Sequence, residues 1–212
     1  MITDKNVSDF IDSLYSNSDD LSEALRLKAE GEDIPVIRRQ SEGFIKSLLL
    51  LKKPENILEI GSGVGYSAIV MARTLPDVQI TTIENYAPRI EAAKKNIENA
   101  GLKDRISLIE ADAADVLLQL KGPYDFIFLD GPKGQYEAFL PELLRLLDEG
   151  GVLLCDNVLQ GGDIALSRYA IERRDRTIHE RMRAFLYEIT HLEELETSIL
   201  SVGDGMSLSI KI

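Results

Sequence analysis

A glycine-rich turn between an apolar stretch and an amphipathic stretch constrains the fold of this chain most. Residues 57–67 read Ile-Leu-Glu-Ile-Gly-Ser-Gly-Val-Gly-Tyr-Ser. The apolar start predicts a buried strand, and residues 66–75 predict an amphipathic helix. Glycine at positions 61, 63 and 65 lets the backbone turn sharply and approach a ligand closely. A strand, glycine turn and helix in this order indicate an α/β protein that binds a nucleotide-like ligand at the turn.

The glycine spacing and a nearby carboxylate indicate which ligand binds. The dinucleotide fingerprint is G-x-G-x-x-G, whereas Gly61, Gly63 and Gly65 follow G-x-G-x-G, and Glu59 stands two residues before the first of them. A carboxylate repels a diphosphate and favours a cation. S-adenosylmethionine (SAM) has an ammonium, a sulfonium and no phosphate, so the turn favours SAM. The arrangement resembles motif I of class I SAM-dependent methyltransferases. A dinucleotide site and a purely structural turn are the alternatives.

Strands and helices alternate from residue 54 onward. The predicted strands are 56–60, 79–84, 105–110, 124–130, 151–156, 196–202 and 206–212. The predicted helices are 62–75, 87–100, 113–120, 136–147 and 163–191. Almost continuous apolar strands are typical of parallel strands covered on both faces, and right-handed crossovers then give a doubly wound sheet. The last two strands flank Gly203-Asp204-Gly205 and predict an antiparallel hairpin.

The N-terminal quarter differs from the rest. Residues 1–53 have apolar residues at helical spacing and no strand pattern, and Ser18 is placed to cap the second helix. No repeat or linker interrupts the 212 residues. We therefore predict a single α/β domain, with a helical cap over 1–53 and a core over 54–212. The core is a seven-stranded, Rossmann-like, doubly wound sheet that ends in an antiparallel hairpin.

The sequence argues against a membrane-spanning helix and against an internal disulfide. The start of the chain is polar and acidic, and the longest aliphatic run, 48–51, is too short to cross a bilayer. Cys155 is the single cysteine, so no internal disulfide is available. A cytoplasmic protein without a membrane partner is the expectation. We interpret Cys155, His179 and His191 as packing or surface residues.

Further residues are expected at the cofactor site. Glu84 ends the second strand, 23 positions after Gly61, where an acid binds ribose hydroxyls. Ser67, early in the first helix of the core, is placed to meet the methionine carboxylate of SAM. The methyltransferase resemblance implies that Asp112, after the third strand, reaches the adenine. An aspartate before a helix is also a common N-cap, and that alternative stays open.

Acidic and amide side chains follow the fourth and fifth strands. Asp130 ends one strand, and Asp156 and Asn157 end the next. Because the carboxyl ends of parallel neighbours meet at one edge of a sheet, these side chains are expected to converge. Two carboxylates and an amide oxygen suit Mg²⁺ better than zinc. Helix capping is the alternative for either acid alone.

The pattern Asp130-x-x-Lys133 followed by Asp156-Asn157 resembles the metal-dependent O-methyltransferases of the catechol and caffeoyl-CoA type, from about residue 34 onward. The resemblance implies a SAM- and Mg²⁺-dependent enzyme in which Asp130, Asp156 and Asn157 hold the metal. It also implies that Lys133 is the catalytic base and that Asp130 takes part in catalysis and lies near the cofactor. A homodimer is expected by the same resemblance.

A narrower resemblance concerns the acceptor. Residues 33–35, 65–69, 133–136, 156–159 and 202–205, together with an arginine-rich run, are similar to bacterial tRNA 5-hydroxyuridine methyltransferases. This resemblance implies tRNA processing: methylation of 5-hydroxyuridine to 5-methoxyuridine at the wobble position of the anticodon loop.

A chain of net charge −12 needs a local cationic surface to bind tRNA. The residues assigned to that surface are Arg38, Arg173, Arg174 and Arg176, with Tyr136 either at the acceptor or packed inside. An ion-paired helix face is the alternative for the arginines. A small diphenol-like acceptor is the alternative substrate, and a non-catalytic SAM-binding or dimerisation protein is a third interpretation.

Overall fold

The computed structural model describes residues 4–15 and 20–212, so the predicted cap at Ser18 lies outside the described residues. The chain forms two compact units, one of residues 6–113 and one of residues 114–212 with the start of the chain. They are called the glycine-turn unit and the acid-pair unit below. Among the described residues, no helix is long and apolar enough to cross a membrane.

The glycine-turn unit starts with three helices and continues as alternating strands and helices. Its elements are α1 (Lys5–Leu14), α2 (Asp20–Gly31), α3 (Arg39–Lys52), β1 (Asn56–Ile60), α4 (Tyr66–Thr74), β2 (Gln79–Glu84), α5 (Ala87–Asn99), β3 (Ile106–Glu110) and α6 (Ala113–Leu117), which runs into the next unit. Strand β2 pairs in parallel with both β1 and β3. Helices α2, α3 and α5 pack against α4.

Local chemistry explains several of these boundaries. Helix α3 ends where Lys53 adopts a left-handed conformation (φ 53°), and Pro54 follows and cannot continue the helix. Strand β1 is buried because Ile57 and Leu58 are fully enclosed. The guanidinium of Arg105 donates to three carbonyls at the end of α4, those of Ala72, Leu75 and Pro76. These contacts fix the helix that follows the glycine turn.

The acid-pair unit contains the rest of the sheet. Its elements are β4 (Tyr124–Leu129), α7 (Tyr136–Leu146), β5 (Leu147–Cys155), α8 (Arg176–Ile189), β6 (Leu195–Leu200) and β7 (Met206–Lys211). Strands β4 and β5 are parallel, and β7 runs antiparallel to both β5 and β6. The strand order of the seven-stranded sheet is β3-β2-β1-β4-β5-β7-β6. The predicted fold class, with its closing hairpin, is confirmed.

The predicted helix over 163–191 is wrong in its first half. Residues 160–165 and 168–170 form short 3₁₀ helices, and the α-helix begins only at Arg176. The preceding Gly161 and Gly162 have φ values of 65° and 110°, which end any regular helix there. Side chains of α8 replace helical hydrogen bonds: Arg183 donates to the carbonyl of Ile164 (2.8 Å) and Arg176 to that of Ile171 (3.0 Å).

Candidate active site

The turn after β1 has the backbone that its glycines predict. Gly61, Gly63 and Gly65 all have positive φ, at 99°, 53° and 80°. The N–H groups of Gly61 and Ser62 both donate to the carbonyl of Ile83 in β2, at 3.0 Å. A Cβ at Gly65 would also lie only 3.4 Å from Ala93 of α5. The turn is therefore held in one conformation that side chains would strain.

Glu59 lies under this turn and is completely buried. Its carboxylate accepts hydrogen bonds from the hydroxyls of Ser67 and Thr82. Because the carboxylate has no exposed surface, its influence on the turn is that of a buried negative charge and not of a direct ligand contact. The hydroxyl proton of Ser67 is donated to Glu59, so the backbone N–H groups at the start of α4 remain for a ligand carboxylate.

Glu84 connects the glycine turn to the end of β2. One carboxylate oxygen accepts the N–H of Gly63 at 2.9 Å, and the other accepts the N–H groups of Asn85 and Tyr86 at 3.0 Å. The Asn85 side chain in turn donates to Asp112 at 2.9 Å. Glu84 and Asp112 thus lie together at the ends of β2 and β3, and a carboxylate has lone pairs left for further donors.

The register of β4 and β5 brings the predicted metal ligands together. Leu129 pairs with Cys155, so Asp130 and Asp156 follow matched positions on adjacent parallel strands. The N–H of Asp156 also donates to the carbonyl of Leu129 at 3.0 Å. Asn157 has a left-handed conformation (φ 57°), and its N–H donates to the Asp156 carboxylate at 2.7 Å.

Asp156 is a buried acid in an unfavourable electrostatic setting, with only 3% of its surface exposed. Burial raises its pKa to about 7, and the charges of Asp130 and Asp204 add to this. The sequence analysis assigned no site role to Asp204. The neighbouring glycine was the feature of the sequence that marked this turn as tightly packed. Gly205 lies so close to Leu159 that a Cβ there would overlap it.

Lys133 is held between an acid and a phenol. Its Nζ lies 2.8 Å from Oδ1 of Asp130 and 3.0 Å from the hydroxyl of Tyr136. That hydroxyl lies 3.0 Å from the carbonyl of Leu129 and 3.2 Å from that of Asp156. One tyrosine oxygen therefore touches Lys133 and the backbone beside both acids. Burial, with the Asp130 charge, raises the pKa of Tyr136 well above its ordinary value, so it stays protonated.

Of the two positions left open for Tyr136, the structure has the packed one. Its side chain has no exposed surface and packs edge-on against Phe185, with ring centroids 5.5 Å apart. Cys155 is fully buried, and this burial raises its pKa to about 12, so it is a packing residue. His179 is also buried, whereas His191 stacks on Tyr187 at the surface.

The donor set of the acid-pair unit fits a hard divalent cation. Within residues 4–15 and 20–212, no cluster of three or more His, Cys, Asp or Glu side chains could hold a metal ion. A site here has to include the amide oxygen of Asn157 with the carboxylates of Asp130 and Asp156. Oxygen ligands of this kind suit Mg²⁺. A cation would also offset the charge repulsion that raises the pKa of Asp156.

Several arginines of the arginine-rich segment before and within α8 already make contacts inside the protein. Arg168 pairs with Glu180 at 2.6 Å, and Arg174 lies 3.1 Å from Glu172. Arg176 holds a backbone carbonyl, as described above. Arg173 is exposed, and so is Arg38, in the glycine-turn unit. The run therefore presents fewer available guanidinium groups than its composition predicts.

Comparison with known proteins identifies the family of this chain. The family model described as O-methyltransferase matches residues 17–212. The catechol O-methyltransferase of Niastella koreensis is 34% identical over 215 residues, covering 97% of this chain and 96% of that protein. The caffeoyl-CoA O-methyltransferase of Populus kitakamiensis is 32% identical over 192 residues, covering 84% and 77%. The crystal structure of the O-methyltransferase from Bacillus cereus in complex with SAH superimposes with a TM-score of 0.85 at 27% identity, covering 100% of both chains.

Proposed function

Because the chain belongs to the O-methyltransferase family, we propose that it transfers the methyl group of SAM to a hydroxyl of an acceptor with two adjacent oxygens. The proposal assigns a divalent cation to Asp130, Asp156 and Asn157. One observation supports it most: Asp130 and Asp156 end adjacent parallel strands, and Asp156 is buried with its pKa raised to about 7. Lys133 already supplies one positive charge beside Asp130, and the second acid needs a further one to be stable in its ionised form.

The chain's own groups have definite tasks in this proposal. When bound, a divalent cation lowers the pKa of the acceptor hydroxyl and orients its oxygen. Lys133 is the proton acceptor, and its Nζ is kept in place by Asp130 and Tyr136. The buried phenol of Tyr136 excludes water from one side of that amine.

The cofactor is assigned to the glycine-turn unit. The positive-φ glycines expose backbone N–H groups, and Glu84 is fixed by three backbone donors with lone pairs remaining for ribose hydroxyls. Glu59 supplies a buried negative charge that favours a sulfonium ligand. Asp112 remains the candidate for the adenine. Membership of the O-methyltransferase family and an SAH-bound structural relative support this assignment.

The comparisons favour a small acceptor over tRNA. The relatives with 34% and 32% identity are named for catechol and caffeoyl-CoA. We therefore place a catechol-like or caffeoyl-CoA-like acceptor first, which reverses the preference drawn from the sequence. Either compound presents two neighbouring oxygens on an aromatic ring, and such a pair can chelate a cation.

Methylation of 5-hydroxyuridine in tRNA is the second candidate, and one feature of the surface favours it. The segment before α8 exposes Tyr169 at 84%, with Arg173 and Arg174 also exposed. Aromatic rings and guanidinium groups together bind unpaired bases and phosphates. The 5-hydroxyl and the 4-carbonyl of this nucleoside are likewise two adjacent oxygens.

Labelled SAM tests the proposal and separates the two acceptors. Purified enzyme is incubated with 3,4-dihydroxybenzoate, with caffeoyl-CoA, or with tRNA that contains 5-hydroxyuridine, each with Mg²⁺ or with EDTA. We expect Mg²⁺-dependent transfer to a small acceptor, unchanged by the double substitution Arg173→Glu/Arg174→Glu. Transfer to tRNA alone, lost in that double variant, would select the second candidate. No transfer to any acceptor, or full transfer in EDTA, would reject the proposal.

A further inference from the structure

A buried ion pair between α2 and α3 is hydrogen-bonded to Tyr66, the first residue of α4. Arg26 is 2% exposed and donates to Oε2 of Glu42 at 2.7 Å. The Tyr66 hydroxyl donates to the same oxygen at 2.7 Å and accepts from Nε of Arg26 at 3.2 Å. The guanidinium carbon also lies 4.8 Å from the centre of the Tyr66 ring. Three side chains from three helices thus share one polar contact.

The packing of these helices against one another does not require a polar contact among Arg26, Glu42 and Tyr66. Helices α2 and α3 both pack against α4, and α3 already has fully buried apolar residues, among them Ile45 and Leu49. Removing two charges from water costs more free energy than burying apolar groups of the same volume, so an aliphatic pair would hold the helices at least as well. What the charges provide and an aliphatic pair cannot is a fixed position for a third polar group.

Tyr66 is the group whose position is fixed. Burial raises its pKa above the ordinary value, and the hydrogen bond to Glu42 adds to this, so it remains a neutral donor. Burial opposes ionisation of Glu42, but the hydrogen bonds from Tyr66 and Arg26 outweigh burial and lower its pKa, so it remains an acceptor. The hydrogen bond between them therefore keeps one direction, and the ring cannot rotate without breaking it.

The peptide of Tyr66 adjoins the glycine turn. Gly65 precedes it at φ 80°, and Ser67, which follows it, donates to Glu59. Glycine has no side chain with which to fix its own backbone, so a turn of three alternate glycines depends on its neighbours for a single conformation. A shift of about 1 Å at such a site is enough to lower affinity and rate substantially.

We propose that Arg26 and Glu42 of the helical cap are positioning residues for the cofactor turn, which they hold through the hydroxyl of Tyr66. The cap thereby sets the affinity for SAM and SAH without touching either. This inference rests on the proposed function only in placing the cofactor at the turn. Neither residue had a site role in the sequence analysis, because a partner sixteen positions away on another helix leaves no local pattern.

Tyr66→Phe is the sharpest test because it keeps the ring and removes only the hydroxyl. We expect SAH affinity, measured by titration calorimetry, to fall about tenfold, as expected for the loss of a buried hydrogen bond to a charged group. KM for SAM should rise with it, while kcat at saturating SAM changes less than twofold. The matched control is Glu23→Gln, which removes the Glu23–Arg39 pair between the same two helices (2.7 Å). It should leave SAH affinity unchanged.

A second variant separates positioning from stability. The triple substitution Arg26→Met/Glu42→Met/Tyr66→Phe replaces the polar contact by apolar side chains, so the thermal midpoint should stay equal or rise. SAH affinity should nevertheless fall about tenfold, as in Tyr66→Phe. SAH affinity within twofold of wild type in both variants would overturn the inference. Absence of methyl transfer by wild type would instead reject the proposed function, because SAH binding is measured without turnover.

Discussion

The buried carboxylates of the two units differ in how far hydrogen-bond donors of the chain compensate their charge. In the glycine-turn unit, Glu59 accepts two side-chain hydroxyls and Glu84 accepts three backbone N–H groups. In the acid-pair unit, Asp156 accepts a single backbone N–H among the hydrogen bonds described above, and burial and the like charges of Asp130 and Asp204 act on it, which the charge of Lys133 only partly offsets. Donors from the chain compensate the first two acids, whereas burial and repulsion penalise the third.

This difference indicates whether each binding site is already formed before its ligand binds. Acids that are already hydrogen-bonded form a rigid site before the ligand arrives, and the ligand then uses only their remaining lone pairs. A buried acid beside like charge is strained until a cation binds, so binding and ionisation are coupled. We infer that the cofactor site is largely preformed and that the metal site is completed by the cation.

Asp156→Asn should have the largest effect. It keeps the shape of the side chain but removes a charge from the metal site, so kcat/KM with Mg²⁺ should fall by about 10³-fold or more. Steady-state assays with labelled SAM measure this. Asp148→Asn, exposed on the same strand β5, is the control and should keep wild-type activity. Full activity in Asp156→Asn would remove this acid from the metal site.

Lys133→Met should come next. Removal of the proton acceptor should lower kcat by about 10²- to 10³-fold. SAH affinity should be unchanged because no contact of Lys133 described above involves the glycine turn. Single-turnover assays and calorimetry measure the two quantities, and the exposed Lys121→Met is the control. If SAH affinity fell as much as kcat, Lys133 would have a role in the cofactor site instead.

Glu84→Gln tests the preformed site. Its amide would place a donor against backbone N–H groups, so SAH affinity should fall about 10- to 100-fold. Binding of Mn²⁺ should stay as in wild type. Glu110→Gln is the control, because that acid makes a partly exposed ion pair with Lys94. Equal loss of SAH affinity in both variants would contradict the role given to Glu84.

The smallest expected effect concerns stability. The ordinary pKa of an aspartate is near 4, and that of Asp156 in the folded protein is raised to about 7. A raised carboxyl pKa stabilises the fold fully below pH 4, and this contribution is lost as the pH rises through 7. At pH 8, Asp156→Asn should therefore melt a few degrees higher than wild type without added metal, with no advantage at pH 4.

Mg²⁺ distinguishes this explanation from a general effect of the substitution. At pH 8 it should raise the thermal midpoint of wild type but not that of Asp156→Asn, because only wild type retains the metal site. Differential scanning fluorimetry measures both. A variant that melts below wild type at pH 8 would contradict the electrostatic description of Asp156.

Much of the fold follows from local patterns. The glycine turn, the apolar strands and the Gly-Asp-Gly hairpin each specify an element within a few residues, and all are present, although β5 begins at Leu147 and not at 151. The prediction of one helix over 163–191 was wrong in its first half, where the arginines of α8 bond to carbonyls 5 and 19 residues earlier in place of helical hydrogen bonds. The apolar stripe of α1 was recognised, but Phe10 and Leu14 lie exposed at 63% and 64%. Periodicity alone does not tell which face is covered.

The site was predictable where it depends on strand ends. Asp130, Asp156 and Asn157 follow paired strands, so topology alone places them together. The direction of a side chain was not predictable. Tyr136 stands three residues after Lys133 whether its ring faces the acceptor or the interior, and in the structure it points inward as a buried hydrogen-bond partner of Lys133. Asp204 and the Arg26–Glu42 pair meet their partners only through tertiary packing, which no short motif records.

Binding of Mn²⁺, followed by electron paramagnetic resonance, reports on the proposed metal site of Asp130, Asp156 and Asn157 without needing an acceptor. Wild-type protein with SAH is titrated with Mn²⁺ at pH 8, alongside Asp156→Asn and the control Asp148→Asn. We expect one Mn²⁺ bound per chain in wild type and in the control, and none at the same concentrations in Asp156→Asn. Equal binding by all three proteins, or by none, would contradict it.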